Sequence, residues 1–209
     1  MPNSEDCVCR DNVGVYLAIL SNIEFQKPFD DEMNQVGKMQ FDGWCALTNF
    51  LYYWIYETNF KYYMYFYDSF NYFTDDMYKY IASKDNVVML FSMDQMTTGE
   101  YGTGWINLKT YLNSKLSWNA NLSSEELTEN WFNAMFKEAA PRMKSLFYSQ
   151  RIYYDNLMKE QDLYQIRSNY LVINKKEYWN LASLKSWIDL ADMAKMDIIK
   201  YKILEKDVA

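Results

Sequence analysis

Residues 51–56 read LYYWIY, an apolar run of strand length that is rich in aromatic residues. Two similar runs flank it along the chain, GVYLAIL at residues 14–20 and VVMLF at residues 87–91. Apolar runs of this length with little polar alternation are typical of strands that are buried on both faces of a parallel sheet. The sequence therefore predicts three adjacent parallel strands with both of their faces covered.

The stretches between the three runs predict helices. The runs start roughly 36 residues apart, which leaves room for a helical crossover and its loops. Residues 31–50 have helical spacing with Met33, Val36 and Met39 on one side, and residues 68–83 repeat apolar positions at three and four residues. A strand–helix–strand–helix–strand order is typical of βαβ architecture.

The pattern after Gly104 is helical throughout. Four apolar residues recur at helical spacing in the first stretch: Trp105, Leu108, Leu112 and Leu116. Residues 123–126 (SSEE) form a capping box that predicts a helix start, and Pro141 is expected to interrupt or restart a helix.

The predicted fold class is therefore α/β. Residues 1–104 are expected to form a partial (β/α) barrel of three parallel strands with crossover helices. Residues 105–209 are expected to form an all-helical region.

Composition excludes several kinds of chemistry. The chain has no His, which removes Ser-His-Asp and Cys-His catalysis and the commonest zinc ligand. Acid–base chemistry must then fall to carboxylates, Tyr, Lys or Cys. Cys7, Cys9 and Cys45 lack the paired spacing of a zinc site and are interpreted as free thiols. No metal and no cofactor are expected.

Charge and hydropathy bear on the partners. The net charge is −7 and the 21 basic residues are dispersed, so nucleic acid is not an expected partner. The first residues do not resemble a signal peptide. The sequence contains no run of eighteen apolar residues, which is the length that would predict a membrane span. Aromatic residues make up 19% of the chain. They either pack a core or bind sugars, whose C–H faces stack on aromatic rings.

Polar residues follow each predicted strand, at the edge where parallel α/β folds bind ligands. They are Glu24 after the first strand, Glu57 and Asn59 after the second, and Asp94 and Gln95 after the third. Glycoside hydrolysis requires two carboxyl groups, one as proton donor and the other as nucleophile or base. The alternative is that these acids and amides cap the helices that follow.

The candidate catalytic residues are accordingly Asp94, as acid or base, with Glu24 and Glu57 as further carboxylates. Asn59 and Gln95 are candidate anchors for sugar hydroxyls, and Tyr56, at the end of the second strand, is a candidate stacking wall.

Residues 12–161, roughly 70% of the chain, resemble an uncharacterised bacterial domain family of unknown function. That family is related to glycoside-hydrolase barrels and neighbours α-glucuronidase-like enzymes. The matching segments, together with Gly43-Trp44, are VYLAILSNIEFQKPFD (15–30), WIYETNFKYYMYFYDSFN (54–71), VVMLFSMDQ (87–95) and LKTYLNSKLSWNANLSSEEL (108–127). The resemblance implies a carbohydrate-active protein that binds or hydrolyses a poly- or oligosaccharide.

Three features depart from that family. Ile55 stands where the family tends to carry an acid, and Asp94 stands where it carries Glu. A full barrel has about eight strands, whereas three are predicted here. The chain is therefore expected to start partway through a barrel, and to self-associate or need the remainder of a longer chain to cover its open sheet.

Two alternatives stay open. One is a non-enzymatic helical interaction module whose aromatic residues are purely structural. The other is a Ca²⁺ or Mg²⁺ site built on Asp30, Asp31 and Glu32, although this acidic cluster is also what a helix N-terminus favours.

Overall fold

The computed structural model describes residues 7–56, 59–60, 68–93, 105–165 and 175–208. The three strands within these ranges are β1 (Gly14–Ala18), β2 (Phe50–Tyr56) and β3 (Val87–Met93). The helices are α1 (Gln35–Cys45), α2 (Asp75–Ala82), α3 (Ile106–Trp118), α4 (Ser124–Phe136), α5 (Ala140–Glu160) and α6 (Leu181–Val208).

The three strands form one parallel sheet with β2 in the centre. Gly14 of β1 lies opposite Phe50 of β2, and the pairing continues in register to Ala18 opposite Trp54. The β2–β3 register is irregular between Leu51 and Tyr52. The predicted fold class, a partial α/β fold of three parallel strands with helices between them and a helical region after them, is confirmed.

Burial along β2 alternates, so the described part of this chain covers only one face of the strands, and the other is the open apolar sheet face expected of a partial barrel. Leu51, Tyr53 and Ile55 are fully buried, whereas Tyr52 and Trp54 on the other face are only half-buried. The aromatic residues of β2 hide this alternation in the sequence, because Tyr and Trp occupy both the buried and the half-buried positions.

Both crossover segments lie on the buried face of the sheet. Phe41 of α1 packs edge-on against Tyr53, with ring centres 4.9 Å apart. Tyr72, just before α2, places its hydroxyl oxygen 2.7 Å from that of Tyr53, and Tyr80 of α2 lies near Phe41. Strands that follow one another in a single direction place successive right-handed crossovers on the same face of the sheet.

The Tyr53–Tyr72 hydrogen bond is a polar contact inside an apolar core. Both side chains are fully buried, and burial raises the pKa of both hydroxyls well above the usual value because a phenolate would lose its hydration. Each hydroxyl therefore stays neutral, and one donates the hydrogen bond that the other accepts.

The apolar side predicted for α1 is not its buried side. Val36 and Met39 are more than half exposed, and the buried residues of this segment are Asn34, Gly37 and Phe41. The reason is a close backbone approach. A Cβ atom at Gly37 would lie 2.5 Å from the backbone oxygen of Asn22, so the helix turns its glycine face inward.

The helical region agrees with the predicted pattern. Leu108, Leu112 and Leu116 form the buried stripe of α3. After α4, a 3₁₀ turn at Lys137–Ala139 precedes α5, which carries Pro141 in its first turn. The helix therefore restarts at Pro141, as predicted.

The chain divides into two compact units. The first comprises residues 1–124 and 164–171 and contains the sheet with α1–α3; the second comprises residues 125–163 and 172–209. The boundary predicted between residues 104 and 105 divides the chain by type of element, and it stays a prediction.

Helices α4, α5 and α6 make up most of the second unit. Phe132 of α4 and Phe147 of α5 are buried with ring centres 5.5 Å apart. Arg142 of α5 donates to Asp197 of α6, so an apolar contact joins α4 to α5 and an ion pair joins α5 to α6.

The close approach at Gly37 yields a stability prediction. Gly37→Ala places its Cβ against a backbone oxygen and the Ile23 side chain, which forces α1 away from the loop after β1. We expect the free energy of unfolding to fall by about 1–3 kcal/mol, measured by urea denaturation. Val36→Ala, at an exposed position of the same helix, is the control and should stay within about 0.5 kcal/mol of wild type. Equal effects of the two changes would contradict the packing argument.

Candidate functional site

The loop after β1 buries a carboxylate. Glu24 is only 6% exposed, and Gln26 beside it is 2% exposed. The Oε1 atom of Glu24 accepts a hydrogen bond of 3.0 Å from the backbone N–H of Gln26. A buried carboxylate requires such donors because it has lost its water.

Asn34 holds this loop in place. Its Oδ1 accepts from the backbone N–H of Glu24 at 2.6 Å, and its Nδ2 donates to the backbone oxygens of Glu24 and Pro28 at 3.2 and 2.6 Å. Asn34 is fully buried. One side-chain amide from the turn before α1 therefore adds to the turn hydrogen bonds of this loop, in which Lys27 and Asp31 donate to the backbone oxygens of Glu24 and Pro28.

Aromatic contacts join the β1 loop to the end of β2. Phe25 packs edge-on against Tyr56 with ring centres 6.3 Å apart, and Tyr56 packs against Phe60 at 5.5 Å. Asn59, next to Phe60, is 1% exposed. Glu24, Tyr56 and Asn59 thus belong to two segments that meet at the carboxyl edge of the sheet.

A third segment, residues 68–71, joins the same cluster. Asp68 and Ser69 are buried, and Asp68 accepts from the backbone N–H of Phe70 through Oδ1. The Nδ2 of Asn71 donates to the backbone oxygen of Gln26 at 3.2 Å. This hydrogen bond ties the segment directly to the loop that carries Glu24.

Helix α3 adds a buried cation. Lys109 is 3% exposed, and its Nζ lies 5.8 Å from the ring centre of Phe70. The cluster therefore includes two carboxylates, Glu24 and Asp68, and an ammonium group brought near residues 68–71. Clusters of buried ionisable groups at strand ends are typical of functional sites.

Two buried polar atoms of the cluster lack a hydrogen-bond partner, the Nε2 of Gln26 and the Oγ of Ser69. An unsatisfied buried donor costs about 1–3 kcal/mol, so such atoms call for an explanation. Both belong to segments that the Asn71 side chain joins. A ligand with hydroxyl groups would supply the missing partners.

The structure describes three of the six predicted site residues, Glu24, Tyr56 and Asn59, and brings the segments that carry them together. Glu57, Asp94 and Gln95 lie outside the described residues.

Sequence reasoning missed four further members of the cluster, which are Gln26, Asp68, Ser69 and Lys109. Only Lys109 left a signal in the sequence. It is a charged residue that falls on the apolar stripe of α3, because it precedes Leu112 by three residues and Leu116 by seven.

The acidic cluster before α1 has a structural role. The carboxylate of Asp31 accepts from the backbone N–H of Met33 at 2.9 Å, which is the hydrogen bond of a helix cap. No group of three or more acidic or Cys residues within the described ranges is arranged to hold a metal ion. Cys7, Cys9 and Cys45 are free thiols, and burial raises the pKa of Cys45 to about 11.

Together, fold and cluster define a class: an α/β protein with a buried polar cluster at the carboxyl edge of a parallel sheet. The chain belongs to the family described as Domain of unknown function (DUF4838), whose model matches residues 2–148, more than two thirds of the chain. No curated protein and no solved structure matches the chain. Within the described residues, every helix is too short or too polar to cross a membrane.

The role of Asn34 can be tested by removing its amide. Asn34→Ala removes the acceptor of the Glu24 backbone N–H and one of the two donors to each of the Glu24 and Pro28 backbone oxygens. We expect the free energy of unfolding to fall by about 3 kcal/mol, measured by chemical denaturation. The control is Asn133→Ala on α4, whose side chain is exposed and bonds only Glu129. If both variants are equally stable, the Asn34 hydrogen bonds do not hold the loop.

Proposed function

We propose that the chain binds a poly- or oligosaccharide at the carboxyl edge of its sheet, and that the carboxylates there act in hydrolysis of a glycosidic bond. The observation that carries this proposal is the buried cluster, which contains Glu24 and two unsatisfied polar atoms, Gln26 Nε2 and Ser69 Oγ. Sugar hydroxyls both donate and accept hydrogen bonds, so they complement an amide N–H and a hydroxyl.

The chemistry of the cluster supports the same proposal. Hydrolysis needs a proton donor and a second carboxyl group, about 5–5.5 Å away for retention and about 6.5–9.5 Å away for inversion. Glu24 and Asp68 are the described carboxylates of the cluster, and in the sequence Glu57 and Asp94 directly follow β2 and β3. Asn59 and Gln95 are the proposed hydroxyl anchors, and Tyr56 the proposed wall.

The placement of the helices supports kinship with glycoside-hydrolase barrels. In a (β/α) barrel the helices cover one face of a parallel sheet, and the other face looks into the barrel. Here the α1 and α2 segments contact the Tyr53 face of the sheet, and the Trp54 face remains partly open. A doubly wound sheet would instead carry helices on both faces.

The test of the site is Glu24→Gln. The amide oxygen still accepts from the Gln26 N–H, so the loop should keep its fold while the negative charge is lost. We expect affinity for the oligosaccharide to fall about tenfold or more, measured by calorimetry with neutral and uronic-acid oligosaccharides. Any release of reducing sugar by the wild type should be abolished.

The matched control is Glu32→Gln, which removes an exposed carboxylate of the same unit and should leave binding unchanged. Asp94→Asn serves as a second site variant and should weaken binding like Glu24→Gln. If the wild type and both site variants bind none of the sugars, the site proposal is wrong. The helical interaction module with a structural aromatic core then takes its place.

The open sheet face supports a second proposal, on partners. On this face Tyr16, Met89 and Phe91 are 63%, 42% and 37% exposed. Tyr16 and Tyr52 stack with ring centres 4.6 Å apart, and Trp54 packs against Phe91. Contiguous exposed apolar surface of this kind marks interaction sites. We propose that another protein surface covers it, and that the isolated chain covers it by self-association.

This proposal predicts oligomers in light scattering at concentrations of tens of micromolar. Tyr16→Glu combined with Met89→Glu puts two like charges on the open face and should shift the chain to monomer. Val36→Glu combined with Met39→Glu, on the exposed side of α1, is the matched control and should leave the oligomers intact. A wild-type chain that is monomeric and melts cooperatively would contradict the proposal.

A further inference from the structure

A polar cavity lies in the second unit, between the last turns of α5 and the residues that precede α6. It has a volume of about 520 Å³, within the range typical of small-molecule sites. Its described lining lies between residues 153 and 180, which the family match of residues 2–148 does not include. The cavity is therefore separate from the cluster around Glu24.

The aromatic part of the lining is held rigidly. The hydroxyl of Tyr153 donates to the backbone oxygen of Tyr178 and accepts from the backbone N–H of Asn180, both at 2.7 Å. The Tyr153 ring stacks on Trp179 at an angle of 14° and meets Trp187 edge-on. A wall fixed in this way loses little conformational freedom when a ligand binds.

The charge of the lining is negative. Glu160 and Glu177 both line the cavity, and none of the described lining residues is Lys or Arg. Lys159, the neighbour of Glu160, forms an ion pair with Asp155 one helical turn earlier. The cavity also adjoins the C-terminal end of α5, where the helix dipole favours a cation.

Lys175 places an ammonium group beside the cavity lining. Its Nζ lies 5.1 Å from the ring centre of Tyr178, in the position of a cation–π contact. Its pKa is raised, first by the hydrogen bond with Tyr178, then by the charge interaction with that residue, and further by Glu177. An amine from a ligand would meet the same Glu177 carboxylate.

Neutral polar groups complete the lining. Asn156 and Gln161 each offer an amide that both donates and accepts hydrogen bonds, while Leu157 and Tyr178 contribute buried surface. Amides, carboxylates and an aromatic wall around one small cavity complement a ligand that has several hydroxyl groups, a C–H face and a positive charge.

We propose that this cavity binds a small hydroxylated amine, the chemistry of an amino sugar. The ammonium group lies between Glu160 and Glu177, the amides of Asn156 and Gln161 take hydroxyl groups, and the half-buried Tyr153 ring packs against the apolar side of the sugar ring. A uronic acid is excluded from this cavity by like charge.

The experiment titrates the whole chain with glucosamine, glucose and glucuronic acid, followed by two-dimensional NMR of the backbone amides. Glucosamine should shift signals of residues in α5 and before α6, glucose should bind more weakly, and glucuronic acid should not bind at this cavity. Glu160→Gln combined with Glu177→Gln should weaken glucosamine binding about tenfold. Lys175→Met removes a competing cation and should tighten it several-fold.

The matched control is Glu138→Gln, an exposed carboxylate in the 3₁₀ turn before α5, which should leave glucosamine binding unchanged. Glu24→Gln should leave the glucosamine-induced shifts of residues in α5 and before α6 unchanged, which separates this cavity from the strand-edge site. The proposal is overturned if glucosamine does not bind, if the double variant binds it as tightly as wild type, or if glucuronic acid shifts the same signals as strongly.

Discussion

Coverage of the sheet on one face is the constraint on which the sheet-containing unit depends. The three strands follow one another in a single direction, so both crossovers return on the same side. Tyr53, at the centre of that side, receives Phe41 from one crossover segment and the hydroxyl of Tyr72 from the other. Burial keeps both Tyr hydroxyls neutral, and their mutual hydrogen bond removes the cost of an unsatisfied polar atom in the core.

The same constraint positions the candidate site. Because the crossovers lie on one side, the loop after β1 and the segment before α2 meet at the carboxyl edge of the sheet, where Asn71 bonds the backbone of Gln26. Asn34 then fixes the Glu24 backbone from the start of the first crossover helix. The loop that carries the buried carboxylate is therefore held by two side-chain amides, while the carboxylate itself accepts from the backbone N–H of Gln26.

The two units carry polar sites of different character. The cluster around Glu24 is buried, combines carboxylates with the ammonium of Lys109, and falls within the family match. The cavity beside Tyr153 is open and acidic, and its described lining falls outside that match. The different charges predict different ligands, because the carboxylates that line the cavity repel uronic acids, whereas the ammonium group of Lys109 in the cluster attracts them.

The sequence by itself determined the three parallel strands, the helices between them and the helical region that follows, because run length and helical spacing are local properties. It also indicated Glu24, Tyr56 and Asn59, since residues that follow parallel strands share one edge. Tertiary structure alone decided which faces are buried. Aromatic residues occupy both faces of β2, so the sequence does not distinguish the buried face from the open one. Helix α1 turns Gly37 rather than Met39 inward, because the backbone at Asn22 approaches too closely for a side chain. The contribution of Asp68, Ser69 and Lys109 likewise depends on contacts between segments distant in the chain, and the sequence shows only one sign of it, the charge of Lys109 on the apolar stripe of α3.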